Sequence, residues 1–196
     1  MKKFLLVTTI YSLADVSLVS CSDAEQAAQE ADAPGTETLP VVVEIPYDTS
    51  ISIREIMASL IDPPADALWN SVRVVSDSTG ITEYVPESDE DWAALRHDAI
   101  SIIEGSNALM MPGRRVAPPG AEGEFPKYEF TPEEVEAILA NDRASWIGFA
   151  SQLQDSALEI LDAVNNRDTE KLTEWGAYLD EACEACHSVY WYRAGI

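Results

Sequence analysis

Near the carboxyl end, Cys183-Glu184-Ala185-Cys186-His187 sets two thiols three residues apart, with an imidazole directly after the second. Residues three apart share one face of a helix, so both sulfurs reach the same side. This is the CxxCH pattern of covalent c-type haem attachment: each thiol can form a thioether to one haem vinyl group, and the adjacent imidazole is placed to ligate the iron from the proximal side. At about 100° per residue, Leu172, Gly176, Leu179, Cys183, Cys186, His187 and Tyr190 fall in roughly one third of the helix circumference. One covalent haem would therefore lie on the face that turns inward.

Three other chemistries compete for the same residues. A disulfide between Cys183 and Cys186 would link neighbouring helical turns and constrain little. A zinc site needs a fourth donor, and the remaining candidates are His97 and Cys21. A redox dithiol belongs at the start of a helix that follows a strand, a context absent from this pattern.

The elements that must position these residues read as four helical segments. Between Ile51 and Ile61, Ile53, Met57 and Leu60 recur at helical spacing, with Ser50 or Ser52 as cap. Pro63-Pro64 interrupts the ladder, and Asp62 can cap a continuation through Leu68, Trp69 and Val72, so the first helix is expected to kink. Residues 76–86 read as connection. Ser88-Asp89-Glu90-Asp91 opens a second helix, whose expected face is Trp92, Leu95, Ala99, Ile103, Ser106 and Met110. A proline- and glycine-rich loop runs from Gly113 to Phe130. Thr131-Pro132-Glu133-Glu134 then caps a third segment carrying Trp146, Phe149, Leu153, Ala157, Ile160 and Val164. After the short link at Asn165-Asn166-Arg167, Asp168 starts the fourth. Short links between long amphipathic helices predict an all-α, antiparallel four-helix bundle over residues 47–196, with no sheet.

The chain has 196 residues, with 12 Lys plus Arg against 35 Asp plus Glu and a formal net charge of -23. Such an acidic balance excludes a sequence-independent grip on nucleic acid and favours a partner with a basic surface. Met1-Lys2-Lys3 followed by an apolar stretch to Ser20 reads as an export signal peptide over residues 1–20. Leu18-Val19-Ser20-Cys21 has the form of a lipobox, so Cys21 is the expected lipidation site and the lipid the only expected tie to a membrane. Residues 22–46 form an acidic, flexible tether. The expected location is the periplasm.

Together these features resemble the class II c-type cytochromes, the cytochrome c-prime family: an exported chain, four helical segments, CxxCH on the last helix near the terminus, and an aromatic, Tyr190, three positions beyond the histidine. The resemblance covers roughly Thr49 to Arg193. It implies haem held between helices through Cys183 and Cys186, His187 as proximal iron ligand, and a sixth position facing the first helix. In some members a methionine of that helix fills the position, and Met57 is the match here; in others it stays open and admits small gases such as NO or CO. Arg193, like Arg54, is a candidate contact for the haem propionates. The resemblance further implies a homodimer through the first helices. Electron transfer to a redox partner protein needs no catalytic acid, base or nucleophile, so no enzyme activity is expected. A metal-free structural lipoprotein is the reading that remains if the cysteines carry no haem.

Overall fold

A computed structural model describes residues 47–121 and 125–193. The expected signal peptide, Cys21 and the expected tether to residue 46 lie outside the described residues. The described part is mostly helical, with one small sheet. Among these residues no helix is long and apolar enough to cross a membrane.

The first helix begins as α1 (Ile53–Ile56), capped by Ser52, which accepts from the Glu55 amide while the Glu55 carboxylate accepts from the Ser52 N–H. It widens into a π-helical turn at Met57–Ile61 and continues as α2 (Asp62–Ser71). The prolines explain the widening. Pro63 and Pro64 have no N–H to donate back to Ser59 and Leu60, and their rings crowd the preceding turn. The Asp62 N–H instead reaches the Met57 carbonyl, five residues back, and the freed Leu60 carbonyl accepts from the Ser101 hydroxyl at 3.1 Å. Asp62 therefore does not cap a new helix as expected. The extra residue in the turn also rotates the apolar face: Ile61 is buried and Leu60 is exposed, the reverse of the sequence expectation.

The expected absence of a sheet is also overturned. Strands β1 (Arg73–Asp77) and β2 (Gly80–Tyr84) form an antiparallel hairpin where a plain connection was expected. Its turn is built by Asp77, which accepts from the Thr79 N–H and hydroxyl, and by Gly80 at φ 131°. Helix α3 (Asp89–Leu109) starts at the Ser88–Asp91 capping box. It buries Ile102 and Leu109 rather than Ile103 and Met110, which are only partly covered.

The third segment is two helices, not one. Helix α4 (Pro132–Asn141) ends at Asp142, whose side chain accepts from the Ser145 amide and so begins α5 (Arg143–Asn166). Arg167, in the left-handed region at φ 54°, closes α5, and Asp168 caps α6 (Thr169–Tyr190). Helix α5 packs against both α3 and α6, and α2 spans α3 and α6. The Trp146 indole donates to the Leu109 carbonyl at 2.8 Å, and the Trp69 indole donates to the Gly176 carbonyl at 2.8 Å. The loop after α3 crosses under α1: the Arg115 and Val116 carbonyls accept from the Ile53 and Arg54 amides, and Val116 is buried.

Candidate functional site

Helix α6 carries Leu172, Gly176, Leu179 and Tyr190 as a buried stripe, and Cys183, Cys186 and His187 continue the same face, half-buried. The carboxyl-terminal part of this face, from Cys183 to Tyr190, borders a cleft of about 580 Å³, within the range of small-molecule sites. The first helix also lines the cleft, through Ile53, Arg54, Met57, Ile61, Ala65 and Trp69. Phe130 of the preceding loop, Val135 of α4, and Trp146, Phe149 and Leu153 of α5 complete the lining. Cys183, Cys186, His187 and Met57 thus line one cleft, although more than a hundred residues of chain separate Met57 from the others.

Both cysteines are free thiols. Burial pushes Cys183 up to about 11, with the nearby Asp180, Glu184 and Asp62 carboxylates adding to the effect. Burial pushes Cys186 up to about 12, with Cys183 adding a smaller push. Both are therefore neutral at physiological pH. Burial holds His187 below the usual imidazole value, against the opposite pull of Glu184 and Asp62. A neutral imidazole keeps a lone pair for a metal. Among the described residues, no three His, Cys, Asp or Glu side chains are grouped to share one metal ion.

Tyr190 anchors the end of α6. It is buried and meets Trp146 edge-on at 5.0 Å and Phe149 edge-on at 5.8 Å between ring centroids. Beyond it, the chain is pinned back over the cleft. The Phe130 N–H donates to the Trp191 carbonyl at 2.8 Å, and the Arg193 N–H donates to the Tyr128 carbonyl at 2.8 Å. His187 meets Trp191 edge-on at 4.8 Å, and Trp191 stacks on Tyr192.

The structure gives Arg193 other partners than a haem propionate. Its guanidinium donates to Glu134 at 2.5 Å and to the Glu129 carbonyl at 3.0 Å, lies over the Phe130 ring, and is not among the lining residues. Arg54 is the guanidinium on the cleft wall, over Phe125 at 5.3 Å. His97 is almost fully exposed, beside Asp98, and lies outside the cleft.

Sequence reasoning missed several lining residues. From the sequence, Trp69 and Trp146 fit core packing, Asp62 reads as a cap, and Trp191-Tyr192 reads as a departure from the family pattern. A lone tryptophan or aspartate carries no local signal of a cleft; long-range contacts place these groups, among them the indole bonds of Trp69 to Gly176 and Trp146 to Leu109, the pairing of Glu129 with Tyr192 and the π-helical turn. No protein-family model matches the chain, and neither does any curated protein or any solved structure.

Proposed function

We infer that this chain is an exported c-type haem protein that carries electrons, built as an antiparallel four-helix bundle of the class II type. One observation carries the reading: the two thiols and imidazole of CxxCH border a mostly apolar cleft that Met57 of the first helix also lines. The residues fit one haem. Cys183 and Cys186 would hold it through thioethers, His187 would ligate the iron, and Met57 is the candidate for the sixth position. When bound, the group supplies a one-electron iron couple.

The chain's own residues then do three things. The apolar side chains of Ile53, Ile61, Val135 and Leu153 keep water from the site and lower its dielectric response. The neutral His187 offers its nitrogen without first losing a proton. Asp62, Asp180, Glu184 and Glu129 on the wall outnumber Arg54, so local charge favours the more positive, oxidised state. The acidic surface would guide a basic redox partner. The periplasm is the compartment this reading requires, with Cys21 as lipid anchor.

Absorbance of the purified, reduced protein with and without carbon monoxide tests the reading. A six-coordinate low-spin haem spectrum that carbon monoxide leaves unchanged is expected. Rapid conversion by carbon monoxide would mean an open sixth position, and the chain would then be a gas-binding haem protein.

A further inference from the structure

The β1–β2 hairpin takes no part in the cleft, and every residue of both strands is exposed. Val74 is 65% exposed and Ile81 77% exposed. A solitary two-stranded hairpin is marginal in water. Natural sheets protect an open edge with lysine, proline or a covering element. Strand β1 has neither lysine nor proline, and among the described residues its outer edge has no backbone partner.

We propose that β1 pairs with β1 of a second copy of this chain, antiparallel about a two-fold axis at Val75, to form a four-stranded sheet in the order β2-β1-β1-β2. The strand Arg73-Val74-Val75-Ser76-Asp77 is complementary to its own reverse. In that register Arg73 of each copy lies opposite Asp77 of the other, Val74 opposite Ser76, and Val75 opposite Val75. An isologous contact needs such self-complementarity.

The pairing within the hairpin sets which side chains share a face. Arg73 lies beside Tyr84, Val75 beside Thr82 and Asp77 beside Gly80. Because side chains alternate between faces, Arg73, Val75 and Asp77 lie together on one of them. Both intermolecular ion pairs and the Val75 contact therefore fall on the same face. Within one copy the Arg73 guanidinium sits over the Tyr84 ring at 4.4 Å and donates to the Asn70 carbonyl at 3.2 Å, so it must swing outward to reach the second copy. Asp77 uses Oδ1 for the Thr79 N–H at 2.7 Å and hydroxyl at 2.6 Å, leaving Oδ2 for an arginine.

A slip of one residue would set Arg73 against Ser76 and lose both ion pairs. Strand β2, paired with itself about Thr82, would set Glu83 against Ile81 and gain none. The locally balanced edge of β1 is thus a place where two copies of a chain carrying a formal charge of -23 can approach. One short strand pair buries less than the roughly 1,200 Å² of a standard interface, so association is expected to be weak and reversible.

Sedimentation equilibrium of the full mature chain, from micromolar to submillimolar concentration, tests this. The expected result is a reversible monomer–dimer equilibrium. Arg73→Glu should weaken it about tenfold or more, because two attractive cross-strand pairs become repulsive, whereas Arg73→Lys should keep most of it. Val75→Lys should abolish the dimer by setting two ammonium groups across the axis. These positions are exposed, so helical circular dichroism should not change. A monomer at every concentration would overturn the proposal. So would a dimer insensitive to both Arg73→Glu and Val75→Lys, since its interface would then lie elsewhere, as on the first helices.

Discussion

Met57 shows what one residue can and cannot reveal. Its spacing from Ile53 predicts the face it occupies, and it lies half-buried on the wall of the cleft that Cys183 and His187 also line. A helix-face methionine is ordinarily core filling; the thiols and imidazole in the same cleft are what make it the proposed iron ligand. Replacing Met57 by Ala should convert a six-coordinate low-spin spectrum to high-spin and open the iron to carbon monoxide. An unchanged spectrum would remove Met57 from the iron. The half-buried stripe of Cys183, Cys186 and His187 was legible because helical spacing alone fixes it. Arg193 was not, since its partner Glu134 lies 59 positions away and reaches it only through the pinned carboxyl end.

At the scale of elements, the capping box at Thr131 and the cap at Ser88 are readable because each is a local exchange of hydrogen bonds, whereas the choice between Ser50 and Ser52 falls to Ser52 only through the Glu55 carboxylate. The π-helical turn was not. Pro63-Pro64 announced a disturbance, yet whether the helix kinks or widens depends on Ser101 and Gly105 of α3 accepting the displaced turn. A Cβ added at Gly105 would lie 2.5 Å from Ile61 Cδ1 and 3.2 Å from Leu60 Cβ. Gly105→Ala gains about 1 kcal/mol of helix propensity but must displace a buried isoleucine at a cost of about 1–3 kcal/mol. Urea denaturation should show a net loss of about 1 kcal/mol; a stabilised variant would mean that α3 does not hold this turn tightly. The hairpin carries no strand pattern: Val74 and Val75 are adjacent, Ile81 stands six residues on, and with every strand residue exposed there is no apolar alternation to mark a strand.

For the whole molecule, charge is the dominant long-range quantity. An excess of 35 acidic over 12 basic residues makes the folded chain repel itself at neutral pH, so added salt should raise the melting temperature by a few degrees. Acid acts through particular groups. Ser52 holds Glu55 below the usual carboxylate range, Ser88 does the same for Asp91, and Arg193 for Glu134. A carboxyl depressed in the folded state contributes stability above its unfolded pKa, and that contribution is lost as pH falls through the folded value. Thermal melts should therefore change little between about pH 7 and 5 and fall progressively below about pH 4; a midpoint that keeps rising into strong acid would contradict the role of these caps. The most direct test of the haem assignment is the intact mass of the exported protein, made in a bacterial host with a c-type cytochrome maturation apparatus and measured after acid denaturation. The expected mass is that of the mature polypeptide with its Cys21 lipid plus one haem, and the haem increment alone should be lost when Cys183 and Cys186 are both replaced by serine. A wild-type protein lacking that increment would contradict the assignment.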